Sequence, residues 1–157
     1  MPLVTVVEVM PAPVNRVWEI VNDVESYPRL MKHVRSVQVI ERGLNYRVSA
    51  WEVELKGCIM RWTEREEISA AQHRIDYHQV EGEMETFEGS WQLEPETDET
   101  TRVMLSVQFN VGIPMLCEML NPICERAIHD SSQGMLLSLA AEAAQQAGHD
   151  ERRLASP

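Results

Sequence analysis

The sequence predicts an α+β domain in which one antiparallel sheet of seven strands wraps around a long C-terminal helix. Three observations support this fold class. The hydrophobic periodicity gives one strand, two short helices, six consecutive strands and a final helix, in that order. Short turns join the six strands, which favours a meander. The sheet has one apolar face and the last helix has one apolar stripe, so packing the two together buries both.

The first four elements follow from apolar spacing and from proline. Residues Leu3–Met10 are rich in Val and Thr and read as a strand, which Pro11 ends. Helical spacing over residues 14–21 predicts a first helix that ends at Asn22 and Asp23. A second short helix is predicted over residues 25–33, with Pro28 in its first turn.

Six segments with a period of two follow, separated by turn signals that include Gly43, Gly57 and Gly82. The predicted strands cover residues 36–41, 46–55, 58–67, 74–81, 85–93 and 103–111. In the last of these, Val, Leu and Phe alternate with polar residues and Met, which indicates one buried face and one solvated face.

Residues 112–147 have the apolar spacing of a long amphipathic helix. Pro114 suits its first turn, and Pro122 predicts a kink or a restart near Asn121. Residues 130–134 are polar and small, so they interrupt the stripe either as a solvated surface kink or as the roof of a cavity. We expect residues 1–147 to form a single domain and residues 148–157 to form a polar, disordered tail.

The overall charge excludes several classes of partner. The chain has 157 residues, with 14 Lys and Arg against 25 Asp and Glu, giving a net charge of −11. Such a charge repels phosphate backbones and anionic lipids, so neither nucleic acid nor a membrane surface is expected as a partner. The chain has no apolar run long enough for a membrane span and no signal peptide, so we expect a cytoplasmic protein, either a monomer or a homodimer.

Several motifs resemble one family over nearly the whole chain, from Val4 to about Ala144. Residues 12–28 include the run Asn-Asp-x-Glu-x-Tyr-Pro, and further matches lie at 55–57, 62–65, 80–82, 87–91, 101–103 and 121–127. These segments resemble the START-like (SRPBCC) superfamily, in its polyketide cyclase/dehydrase and coenzyme Q-binding branches. The resemblance implies a helix-grip fold with a deep pocket for polyketides, quinones or lipids between the sheet and the long helix.

The inward faces of the predicted elements indicate what would line such a pocket. Nine Met residues are many for this length, and Met adapts to irregular ligands. The alternative for the same residues is an ordinary filled core. The predicted ligand-binding residues are Trp51, Met60, Trp62, Phe87, Trp91, Leu105, Val107, Phe109, Met115, Met119, Ile123, Ala127 and Met135, with Tyr77 and Gln79 on the same face.

Catalytic residues are harder to place, because the chain departs from the aromatase/cyclase pattern. The resemblance implies a pocket arginine four residues after Trp62 and a hydroxyl residue two after it, but Glu66 and Glu64 stand there, and Val34 replaces a helix tyrosine. Glu64 shares a face with Trp62, and a carboxyl buried beside an indole would have a raised pKa and act as a general acid or base. The alternative is that residues 64–67 form a solvated strand end.

Glu64, Tyr77 and Gln79 are therefore the candidate catalytic residues. Arg74, Asp76 and His78 lie on the opposite face from Tyr77 and are expected to form cross-strand pairs on the outer surface. The sequence contains no recognisable metal-binding or nucleotide-binding motif, so we expect no cofactor.

The sequence leaves three functions open. The first is a polyketide cyclase/dehydratase-type enzyme of secondary metabolism, which would work with a polyketide synthase or an acyl carrier protein. The second is a non-catalytic carrier or chaperone for a quinone or lipid. The third is an interaction protein of the same fold, such as an antitoxin-like or self-resistance protein.

Overall fold

The computed structural model describes residues 2–55, 57–112 and 117–155 and confirms the predicted fold class. Seven strands and three α-helices follow one another, with a single 3-10 turn at Val24–Ser26. In chain order they are β1 (Leu3–Met10), α1 (Val14–Asn22), α2 (Tyr27–Leu30), β2 (Val34–Arg42), β3 (Tyr46–Leu55), β4 (Cys58–Ser69), β5 (Arg74–Gly82), β6 (Thr86–Pro95), β7 (Thr101–Asn110) and α3 (Cys117–Ala155).

All strands form one antiparallel sheet in the order β1-β7-β6-β5-β4-β3-β2. The meander from β2 to β7 is the one that the short turns predict. β1 joins its far edge by pairing with β7, so that Leu3 lies opposite Gln108 and Met10 opposite Thr101. Both edge strands therefore come from the first third of the chain.

The sheet curves around α3. The helix contacts both β1 and β3, which lie five places apart in the sheet, and this is possible only if the sheet bends around it. Irregular pairing marks β2 at two points and β4 against β5 between Thr63 and Glu64. Such bulges bend strands and increase their twist.

The short helices close one end of the curved sheet. Tyr27 is fully buried, and its hydroxyl donates to the Val21 carbonyl at 2.5 Å, which fixes α2 against α1. The helix predicted over residues 25–33 is split into the 3-10 turn and the short α2. The split falls before Pro28, because proline has no N–H to donate to the carbonyl of the preceding turn.

The long helix differs from its predicted bounds. Residues 113–116, which include Pro114 and Met115, lie outside the described part of the chain. Pro122 lies inside α3, so the helix does not restart near Asn121, and the kink, which is the other expectation there, stays a prediction. α3 continues to Ala155, beyond the predicted boundary at 147, and the separation of residues 148–157 from the domain stays a prediction. Within the described residues, no helix has the length and apolar character to cross a membrane.

Candidate functional site

A hollow lies between the concave face of the sheet and α3. Its cavity volume is about 60 Å³. One water needs roughly 10–15 Å³ by this measure, whereas pockets for drug-sized ligands have roughly 300–1,000 Å³. The hollow is therefore real but too small for a polyketide in this conformation. Its lining consists of Trp51, Val53, Leu55, Met60, Trp62, Glu64, Tyr77, Phe87, Trp91, Leu105, Val107, Ile128, Ser131, Ser132 and Met135.

Most of the predicted lining residues lie in this wall. Those that do are Trp51, Met60, Trp62, Phe87, Trp91, Leu105, Val107 and Met135, together with Glu64 and Tyr77. Phe109 and Ala127 are buried in the core but do not border the hollow. Met115 and the side chain of Met119 lie outside the described part of the chain. The binding role of all these residues stays a prediction.

The prediction for Ile123 is wrong, because its side chain is 65% exposed. The face of α3 that borders the hollow runs through Ile128, Ser131, Ser132 and Met135, so Met135 lies on it whereas Ile123 and Ala127 do not. The two serines belong to the polar, small segment that the sequence singled out. They line the hollow, whereas Asp130 and Gln133 of the same segment are exposed, so the segment borders the hollow on one side and solvent on the other.

Stacked aromatic rings form the wall on the sheet side. Trp51 lies opposite Trp62 in the β3–β4 register, and their rings stack at a centroid distance of 5.6 Å and an angle of 8°. Phe87 packs against Trp62 at 5.0 Å, and Tyr27 meets the edge of Trp51. Such pairs hold each other's orientation, so this side of the hollow is flat and apolar.

Glu64 is the only acidic side chain in the wall as described. β4 keeps its alternation beyond Trp62, so Glu64 points inward and is 5% exposed. The indole Nε1–H of Trp62 donates to Glu64 Oε1 at 2.7 Å. Burial, and after it the negative charge of Glu66, raises the pKa of Glu64 well above its usual value. A protonated carboxyl in an apolar wall can donate a hydrogen bond or a proton to a bound molecule.

Behind Glu64 lies a buried hydrogen-bonded chain that sequence reasoning missed. Glu66 accepts from Arg47 Nε at one oxygen and from Ser49 Oγ at the other, the latter at 2.5 Å. Arg47 Nη1 donates to the Asn22 carbonyl at 2.6 Å, and Trp51 Nε1 donates to Ser49 Oγ at 2.8 Å. Residues 64 and 66 are thus inside the protein, and the solvated strand end predicted as the alternative is wrong for both.

The other two catalytic candidates have existing partners. The Tyr77 hydroxyl donates to the Ser106 carbonyl at 2.8 Å, and burial, with the charge of Glu64 second, raises its pKa well above the usual value. This reach across β6 needs Gly89, because a Cβ there would lie 2.7 Å from the Tyr77 hydroxyl and closer still to the Ser106 carbonyl. Gln79 Nε2 donates to the Met84 carbonyl at 2.6 Å, and Gln79 does not border the hollow.

The polar residues of β5 lie on the outer surface, as predicted. Arg74 and Asp76 form an ion pair at 2.9 Å within the same strand, not across strands, because their side chains project from the same face two residues apart. His78 is exposed and lies opposite Arg65. Among the described residues, no group of His, Cys, Asp and Glu side chains is arranged to hold a metal ion.

Comparison with protein families gives a match that covers most of the chain. The family model described as polyketide cyclase / dehydrase and lipid transport matches residues 10–136. Among individual proteins, the chain is similar to the ribosome association toxin RatA of Escherichia coli (strain K12). The two are 24% identical over 109 residues, which cover 69% of this chain and 68% of RatA.

Solved structures show the same architecture. The protein TTHA0849 from Thermus thermophilus matches with a TM-score of 0.86 and 28% identity, over 92% of this chain and 99% of that one. The Zhui aromatase/cyclase from Streptomyces sp. R1128 matches with a TM-score of 0.82 and 25% identity, over 93% of this chain and 95% of that one. In both pairs the likeness extends over nearly the full length of each chain.

Proposed function

Because the chain belongs to the polyketide cyclase / dehydrase and lipid transport family of START-like proteins, we propose that it holds an aromatic or polyketide-like molecule between the sheet and α3. One observation carries the proposal: the hollow is walled by aromatic and aliphatic side chains and has a buried carboxyl, Glu64, at its edge. Apolar pockets with few polar groups are typical of small-molecule sites.

As an enzyme, the protein would act first by shape. Folding a flexible ketide so that its reacting carbons meet supplies roughly 7–11 kcal/mol of barrier reduction through proximity when the alignment is good. Glu64 would then protonate a carbonyl, or a hydroxyl that leaves as water while the resulting Glu64 carboxylate takes up the proton of the adjacent carbon. Tyr77 would position the substrate, and Gln79 would do so only after leaving the Met84 carbonyl, because it does not border the hollow. An acyl carrier protein or a polyketide synthase would deliver it, and the similarity to an aromatase/cyclase supports this version.

As a carrier, the protein would need only the apolar hollow. The existing hydrogen bonds of two candidate catalytic residues favour this alternative. The Tyr77 hydroxyl donates to the Ser106 carbonyl and the Gln79 amide donates to the Met84 carbonyl, so neither donor is free for a substrate. A quinone or a lipid chain would fit the mostly apolar wall. In this version Glu64 would contribute a hydrogen bond to the cargo.

Ribosome association, which the name of RatA describes for that protein, is the third possibility. The net charge of −11 argues against contact with ribosomal RNA, because the phosphate backbone repels a strongly negative protein. We therefore place this function below the other two.

Two measurements separate the enzyme from the carrier. Native mass spectrometry of the purified protein would reveal a lipid or quinone that co-purifies, which supports the carrier. For the enzyme, Glu64→Gln keeps the size and the hydrogen bond from Trp62 but removes the transferable proton. We expect it to lower the turnover of a linear poly-β-ketone at least tenfold with little change in binding.

Glu67→Gln is the matched control, because Glu67 is exposed on the same strand. It should behave as the parent protein does. Gln79→Leu tests the third candidate in the same assay. If both Glu64→Gln and Gln79→Leu leave every activity unchanged, the catalytic assignments are wrong. If in addition no apolar molecule binds, the ligand-binding function itself is refuted.

A further inference from the structure

One cation and two carboxyls are buried together at the edge of the hollow. Arg47, Glu64 and Glu66 are 2%, 5% and 1% exposed. Both oxygens of Glu66 already accept hydrogen bonds, one from Arg47 and one from Ser49. Arg47 also donates to the Asn22 carbonyl, and it does not border the hollow. Arg47 Nη2 is buried without a hydrogen-bond partner, so among the described residues the positive charge pairs with Glu66 and not with Glu64.

Glu64 has no ion-pair partner of its own among the described residues. Burial and the charge of Glu66 outweigh the charge of Arg47, which lowers the pKa of Glu64. If Glu64 ionised, the cluster would hold two negative charges against one positive charge away from water, and an uncompensated buried charge is costly. Burial and the charge of Glu66 accordingly raise the pKa of Glu64. Glu64 keeps its proton at pH values where an exposed glutamate has lost it.

The neutral carboxyl of Glu64 borders the hollow, and none of the described lining residues is a cation. Among the described lining residues the polar groups are Glu64, Tyr77, Ser131 and Ser132, and none carries a positive charge at neutral pH. Because Trp62 donates to Oε1 of Glu64, the proton of Glu64 lies on the other oxygen, where Glu66 accepts it until a ligand replaces Glu66 as the acceptor. A carbonyl oxygen can accept it. A carboxylate on the ligand would instead be repelled by the negative charge of Glu66, and no cation among the described lining residues would pair with it.

We propose that Arg47, Ser49 and Glu66 are positioning residues that keep the proton on Glu64, so that the hollow selects uncharged ligands with a carbonyl group and rejects carboxylates. The inference rests on the proposed ligand-binding function and names its ligand class. Ketones and quinones belong to that class, whereas ionised fatty acids and aromatic acids do not. The ligand's carbonyl takes over the hydrogen bond that Glu64 otherwise makes to Glu66, while Glu66 keeps those from Arg47 and Ser49.

The test measures the binding of three probes of similar shape to the unmodified protein, on the acid side of the Glu64 titration and at a pH at which 2-naphthoate is still ionised. They are 2-acetonaphthone, a ketone; 2-ethylnaphthalene, which has no acceptor; and 2-naphthoate, an anion. Quenching of tryptophan fluorescence reports binding, because Trp51, Trp62 and Trp91 line the hollow. We expect the ketone to bind more tightly than the hydrocarbon by up to roughly tenfold, the value of one good hydrogen bond, because its carbonyl replaces Glu66 as the acceptor of an existing bond. We expect it to bind at least roughly tenfold more tightly than the carboxylate.

The positioning role has its own readout, the pH dependence of ketone binding. In the unmodified protein, affinity should fall as pH rises through the pKa of Glu64. Glu66→Gln removes the neighbouring charge and frees Arg47 to pair with Glu64, so the fall should move to lower pH. Glu64→Gln keeps a donor and cannot ionise, so its profile should be flat, which tests the same point even if the Glu66 variant does not fold. Glu67→Gln should match the unmodified protein.

Each outcome decides a separate point. If 2-naphthoate binds as tightly as 2-acetonaphthone, or if the ketone gains nothing over the hydrocarbon, the ligand class is wrong while the apolar site stands. An unchanged pH midpoint in a folded Glu66→Gln, or a sloping profile in Glu64→Gln, overturns the positioning role. If none of the three probes binds, both this inference and the proposed function are refuted.

Discussion

Glu64 makes the folding stability of this protein depend on pH in a direction opposite to that of most glutamates. Its pKa is raised in the folded state, so between the usual value of about 4.3 and the folded pKa the native state binds more protons than the unfolded state. Stability is therefore lost as pH rises through this window. The side chain at position 64 of the Glu64→Gln variant is always neutral. Above the folded pKa, the free energy of unfolding of this variant should therefore exceed that of the parent protein by about 1.4 kcal/mol for each pKa unit of the shift.

Urea unfolding from pH 4 to pH 9 measures this difference. The two stability curves should separate with rising pH and then run parallel above the folded pKa. Glu67→Gln provides the control, since Glu67 is exposed and its curve should keep the shape of the parent curve. A constant offset between Glu64→Gln and the parent at every pH would contradict the raised pKa.

Residues 64–67 also show what the sequence alone predicts at this scale. A run of three glutamates and an arginine normally faces water, and its composition favoured that interpretation. The period of two was the better signal, because Met60, Trp62, Glu64 and Glu66 fall on one face of β4. Arg47 and Ser49 share the face of Trp51 on β3 and were missed, because the partner that makes a buried charge tolerable lies on another strand.

Helix α3 depends on a few buried anchors in its second half. Leu139 is fully buried, whereas Leu137, two residues before it on the same helix, is 52% exposed. Leu139→Ala should lower the free energy of unfolding by about 2–5 kcal/mol through lost burial and the resulting cavity. Leu137→Ala should change it by less than about 0.5 kcal/mol.

Chemical denaturation of the two variants gives the comparison directly. The pair is matched in chemistry and in helix propensity, so only the packing of the helix differs between them. Equal losses in the two variants would mean that α3 does not pack with the face described above.

The strands were easier to predict than this helix. β1 and β3 have the bounds that their alternation gives, and the other strands agree within about two residues at each end. For α3 the sequence predicts a helix but does not determine which side of the helix faces the sheet. Apolar residues occur on more than one side of residues 119–128, and the choice between Ile123 and Ile128 depends on which side meets the sheet. That contact is long-range, so helical periodicity alone does not determine it.

At the scale of the whole molecule, α3 is not buried equally along its length. Leu136, Leu139 and Ala143 are almost completely buried, and they hold the second half of the helix in the core. In the first half, Pro122 and Ile123 are exposed, and the residues from 128 to 135 roof a hollow instead of a filled core. Because the hollow is too small for a polyketide in this conformation, we expect a larger ligand to enter by moving this half of α3.

Hydrogen–deuterium exchange should therefore divide α3 into two parts. Amides of residues 124–135 should exchange at least roughly tenfold faster than those of residues 136–143 in the free protein, because local opening is easiest where few apolar contacts are lost. Saturation with 2-acetonaphthone should slow the first group and leave the second unchanged, while peptides from β3 serve as an internal reference. Equal protection along the helix, unaffected by the probe, would show that α3 does not open to admit a ligand and that entry takes another route.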